Sequence, residues 1–136
     1  MTEPRLELSP LSEAVTNDIR VEVMSRYVPE QSHPLQDEWV FQYTVRITNQ
    51  GIDTVQLVSR HWIITDGHDH TREVKGPGVV GEQPVLAPGE SFKYSSWCPL
   101  ATPTGVMRGT YQMAAGGRQF DIEIASFGLK ASYRVN

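Results

Sequence analysis

Lys75-Gly76-Pro77-Gly78-Val79-Val80-Gly81 is the stretch on which the fold turns. Its Gly76, Gly78 and Gly81 have the G-x-G-x-x-G spacing that, between a strand and a helix, cradles a pyrophosphate at the helix N-terminus. Read that way, the chain is an α/β nucleotide protein. The sequence on either side argues otherwise. Pro84 and Pro88 follow within seven residues of Gly81, and proline inside a helix costs about 3 kcal/mol, so no helix can take up the phosphate. Pro77 removes one backbone N–H from the would-be nest, and no Lys-Ser/Thr pair completes a Walker motif. The glycines then read as an elbow where the chain passes between sheets, with Val79 and Val80 displayed to a partner at its tip.

The segments around the elbow read as strands. Trp39, Phe41, Tyr43, Val45 and Ile47 alternate with Val40, Gln42, Thr44, Arg46 and Thr48, giving a strand with one buried and one wet face. Ile19, Val21 and Val23 predict an earlier strand over Ile19–Tyr27, separated from the second by a polar loop with Pro29, His33 and Pro34. In Thr54–Thr65 the parity breaks: Val55 and Leu57 share one phase, Val58, Trp62 and Ile64 the other. This predicts a β-bulge between them. Asp66-Gly67 signals a hairpin returning as a strand over His70–Lys75. A short edge segment at Gln83–Leu86, a turn at Ala87–Glu90 and a strand at Phe92–Ser96 come next. Cys98–Pro103 reads as a loop, followed by strands around Met107–Met113 and Phe120–Ile124.

Roughly seven or eight strands and no helical periodicity predict an all-β fold, a fibronectin type III-like or immunoglobulin-like antiparallel β-sandwich. The expected organisation is a loosely ordered lead-in over 1–17, one domain over 18–129 and a tail over 130–136. A length of 136 residues suits a single core without disulfides, and Cys98 stands alone. A single cysteine and an N-terminus without an apolar signal region point to the cytoplasm. Twelve basic against 16 acidic residues, a net charge of −4, give no electrostatic reason to expect nucleic acid. No apolar run is long enough to insert into a membrane as a helix.

Candidate chemistry is sparse. Arg72 and Lys75 flank the glycine stretch and are the cations a phosphate there would use. His68 and His70, near Asp66 and His61, have the residue types of a metal site, but a wet hairpin tip explains them equally and no second cluster completes a coordination shell. Cys98 has no local nucleophile signature. The expectation is a protein without enzymatic activity and without a cofactor. Its partner is expected to be another protein, with an edge strand available to pair with a second copy as a homodimer.

Several ordered motifs carry a family resemblance. Arg60-His61-Trp62-Ile63-Ile64-Thr65-Asp66-Gly67, Gly76 through Pro84, Leu86-Ala87-Pro88-Gly89-Glu90, Tyr94-Ser95-Ser96, Thr102-Pro103-Thr104-Gly105 and Gly109-Thr110-Tyr111 closely resemble the bacterial ApaG proteins, over roughly residues 18 to 129. Two positions depart from the pattern: Pro77, where an acidic or polar residue is expected, and Ala125, where a proline is. The resemblance implies a fibronectin-III-like sandwich. It also implies protein binding, since related domains in F-box proteins and in a polymerase-delta-interacting protein look like binding modules. The family name is linked to cobalt and magnesium resistance, and its glycine motif to a suggested pyrophosphate, nucleotide or divalent-cation ligand. A chain without a spanning segment cannot itself carry ions across a bilayer, so such a link would be indirect.

Overall fold

The computed structural model describes residues 11–131. The segments 1–10 and 132–136, parts of the lead-in and tail expected from the sequence, lie outside them. Nine strands run through the described residues: β1 Ser12–Thr16, β2 Ile19–Tyr27, β3 Trp39–Asn49, β4 Val55–Asp66, β5 Thr71–Pro77, β6 Val85–Leu86, β7 Ser91–Leu100, β8 Thr104–Ala115 and β9 Arg118–Lys130. All pairings between them are antiparallel. One sheet has the order β1-β2-β3-β7, the other β5-β4-β8-β9, with β6 also paired to β4. The molecule is a two-sheet β-sandwich, as the alternation in the sequence predicts.

The core follows from the period of two. Phe41, Tyr43, Val45 and Ile47 of β3 are buried, and they face Trp62 and Ile64 of β4, Met107, Tyr111 and Met113 of β8, and Ile122 and Ile124 of β9. Trp62 is the central anchor, meeting Tyr43, Tyr111 and Phe127 edge-on at centroid distances of 5.2, 6.3 and 5.9 Å, the geometry aromatic quadrupoles favour. Asn49 ties the end of β3 to its surroundings: its side-chain amide donates to the carbonyls of Asp53 and Leu86 at 2.8 and 3.0 Å, so its buried polar group is satisfied.

The predicted bulge in β4 is present. Against β8 the register slips between Leu57 and Ser59, placing Val58 and Ser59 opposite a single step of the partner strand. A second slip, between Met107 and Gly109, accommodates Ala125 and Ser126 in β9, and that strand continues to Lys130.

Two expectations need correction. Residues 12–16 are not a loose lead-in but a strand, paired to β2 in the register Ser12↔Val23 to Thr16↔Ile19. Their mixture of Ser, Glu, Ala, Val and Thr alternates weakly because an edge strand buries little of its side-chain surface. Residues 98–100 are not a loop: β7 runs to Leu100, with Cys98 and Leu100 buried opposite Phe41 and Trp39. Pro99 is tolerated because β7 is an edge strand, where a missing N–H leaves no ladder bond unmade. The loop over 29–37 contains two single 3-10 turns, Pro29–Gln31 and Pro34–Gln36, each started by its proline.

Candidate functional site

The glycine stretch closes β5 and turns back as a small hairpin of its own. Val79 and Glu82 exchange backbone hydrogen bonds, 2.8 Å in each direction. Between them Val80 and Gly81 both take positive φ, 43° and 79°, the signature of a type I′ turn. Gly78, at φ 60°, must be glycine: a Cβ there would lie 2.3 Å from the Glu82 carbonyl oxygen. Val80 is the exception to the rule that such positions go to Gly, Asn or Asp. A β-branched residue in the left-handed region is strained by about 1–3 kcal/mol.

The two valines do different things. Val79 is 1% exposed and belongs to the core, whereas Val80 is 55% exposed at the tip. The expectation that both are displayed therefore holds only for Val80. A two-residue type I′ turn sends adjacent side chains to opposite sides, and one of them must face the sandwich.

The hairpin is anchored from β4. The carbonyl oxygen of Val58, the extra residue of the bulge, accepts hydrogen bonds from the Gly78 N–H and from Gln83 Nε2, each 2.8 Å. Arg60 then holds the descending limb, its Nη1 donating to the carbonyls of Pro77 at 2.9 Å and Gly78 at 2.8 Å. The N–H groups of Gly78, Val79 and Glu82 all donate to backbone carbonyls. The loop thus turns carbonyls toward a cation. An anion nest needs converging N–H donors instead.

Arg60 sits at the edge of the core. It lies opposite Tyr111 of β8 and Gly76 of β5, in phase with Trp62 and Ile64. Between Arg60, the hairpin and the inner face of β3 and β7 lies a cleft of about 380 Å³, lined by Tyr43, Tyr94, Ser96, Val79 and Val80. Tyr43 and Ser96 are directly paired across β3 and β7. Tyr94 hydrogen-bonds through its hydroxyl to that of Tyr111. Burial raises all three phenols above the ordinary tyrosine value, so they remain protonated donors.

Neither cation proposed for the glycine stretch reaches this cleft. Arg72 crosses to the other sheet, its Nη2 donating to the Pro99 carbonyl at 2.8 Å. Lys75 lies opposite His61, on the face of the sheet turned away from Arg60. The residue missed in the sequence is Arg60. Once a bulge is placed after Leu57, its parity with Trp62 and Ile64 already aims it inward.

The other candidates are also placed. The backbone N–H groups of His68 and His70 donate to Asp66 Oδ1 at 2.8 and 3.0 Å, closing the hairpin between β4 and β5. Burial pushes Asp66 up, but those two donors outweigh it and hold the carboxyl below its ordinary value. The two imidazoles stand 6.2 Å apart between centroids. Among the described residues no group of three or more His, Cys, Asp or Glu is gathered as a metal would need. His61 pairs at 2.6 Å with Glu73 on the outer face. The Cys98 thiol is buried, and burial raises its pKa, against the thiolate a nucleophile requires. No described helix is long and apolar enough to cross a membrane.

Comparison with known proteins accords with this architecture. The model of the ApaG domain matches residues 29–115. Protein ApaG of Bordetella pertussis is 59% identical over 111 residues, covering 81% of this chain and 85% of the relative. Protein ApaG of Bradyrhizobium sp. (strain ORS 278) is 56% identical over 117 residues, 85% of this chain and 90% of its own. A crystal structure of a Bordetella pertussis protein described as ApaA superposes with a TM-score of 0.81 at 58% identity, covering 83% of this chain and 93% of the other. The C-terminal domain of wzt, at 9% identity and a TM-score of 0.55 over 99% of this chain and 89% of its own, shares the fold alone. With the domain model spanning most of the sandwich and relatives above half identity over most of both chains, this chain belongs to the ApaG family.

Proposed function

We propose that this chain is a non-enzymatic protein-interaction module of the cytoplasm that engages its partner through the tip of the glycine hairpin. The observation that carries this reading is Val80: an exposed β-branched residue held at φ 43°. The surrounding structure fixes that strained backbone through the Arg60 and Val58 contacts at the base of the hairpin. Strain of this kind persists where it serves a function, and a rigid apolar tip binds with little ordering cost. The glycine loop as a phosphate or nucleotide site draws no support from this geometry, because its carbonyls are committed to a cation and Arg72 and Lys75 point elsewhere. Any part in cobalt or magnesium handling is then indirect, through the partner.

The test is affinity capture from an extract of the native cell, comparing the wild type with Val80→Asp. Val79 is left intact because it is core. Loss of a specific co-purifying protein with Val80→Asp supports the reading. Unchanged recovery of every partner removes the hairpin tip from it.

A further inference from the structure

We infer that the cleft between Arg60 and the tyrosines of β3 and β7 is a binding site for a small monoanionic carboxylate with an apolar body. Arg60 uses Nη1 on the two loop carbonyls. Among the described residues no carboxylate pairs with it, and no protein acceptor takes its Nη2 or Nε. A half-buried guanidinium with free N–H groups is a ready partner for a planar two-oxygen anion. The hydroxyls add direction: Tyr43 and Ser96 line the cleft beside Arg60, each with an O–H that can donate to a ligand oxygen.

The apolar wall comes from Val79 and Val80, and the volume of about 380 Å³ falls near the lower end of ligand pockets. Charge sets the ligand class. One cation without a second nearby suits a single negative charge. A phosphate or pyrophosphate would ask for more, and Arg72 and Lys75, which could supply it, lie outside the cleft. This assignment does not rest on Val80 engaging a protein.

The test is a heteronuclear NMR titration of the intact chain, following the Arg60 Nε, the Tyr43 and Tyr94 rings and the Val79 methyls. The probes are butyrate, the neutral isostere butyramide and pyrophosphate. The expected result is saturable butyrate binding of about millimolar affinity. Butyramide should give no saturable shift. Tyr43→Phe, which keeps the ring and removes the donor, should weaken butyrate roughly tenfold. Arg60→Gln should abolish binding. If that variant disturbs the hairpin, as the Val79 methyl shifts would reveal, Tyr43→Phe and Ser96→Ala decide instead. No saturation by butyrate, equal response to butyramide, indifference to both hydroxyl deletions, or tighter binding of pyrophosphate would each overturn the assignment.

Discussion

The Tyr94–Tyr111 hydroxyl pair makes an asymmetric stability prediction. Tyr111 is 0% exposed and Tyr94 7% exposed, on the wall of the cleft. Tyr94→Phe leaves the Tyr111 hydroxyl buried without its partner, a desolvation loss of about 1–3 kcal/mol. Tyr111→Phe leaves the Tyr94 hydroxyl beside the cleft, where water can reach it, so its cost is nearer a net hydrogen bond, about 0.5–1.5 kcal/mol. The double variant removes both polar groups together and leaves neither orphaned, so its cost falls to about 0–1 kcal/mol, below the sum of the singles. Urea unfolding at neutral pH reads this directly: with a slope of about 1–3 kcal/mol/M, Tyr94→Phe lowers the midpoint by roughly 1 M, and the double variant recovers most of it. Strict additivity, or a larger loss in Tyr111→Phe than in Tyr94→Phe, would refute the reasoning.

Two further perturbations probe the loop and the outer face. Gly78→Ala forces both a left-handed alanine and a Cβ 2.3 Å from the Glu82 carbonyl, so it should cost about 2–4 kcal/mol in urea unfolding. Gly81→Ala has a similar φ but nothing within 4 Å of the new Cβ, and should cost only about 1 kcal/mol. The His61 hydrogen bond holds the Glu73 carboxyl below its ordinary value of 4.5. Its contribution to stability is therefore present above that value and lost as pH falls through the lower folded-state value. A carbon-detected titration should place the Glu73 midpoint below 4.5 in the wild type and closer to it in His61→Gln.

Most of the fold was legible in the sequence, because a half-buried strand writes its two faces as alternation. Trp39–Ile47 did so plainly, and the broken parity of Val55–Ile64 announced its bulge. The edge strands were harder. Ser12–Thr16 buries too little to show a pattern, and Pro99 reads as a loop residue until the strand carrying it is known to be an edge. The site was legible in part. The glycines marked the hairpin, but the expectation that Val79 faces outward failed because the turn type decides which valine is exposed, and Val80 is an unusual residue for it. Arg60 belongs to a family motif, but its inward role is hidden because a charged residue beside a tryptophan reads as surface until the bulge fixes its phase. Tyr43, Tyr94 and Ser96 come from the opposite sheet, and no local spacing in the chain brings them beside Arg60.

Val58 has a consequence for how this molecule can change its length. Leu57 faces in and Ser59, bonded to Gln112, faces out, so the two flanking residues would already alternate regularly if Val58 were missing. The sheet does not need that residue. The hairpin does, because the Val58 carbonyl receives both Gly78 and Gln83. A one-codon deletion at this position would therefore separate two properties that usually fail together. The sandwich keeps its pairing while the hairpin loses the two Val58 hydrogen bonds and is left to those of Arg60. The loop is in this sense a fitting that can be loosened, since part of its attachment runs through the one residue of β4 that the alternation of the sandwich can spare.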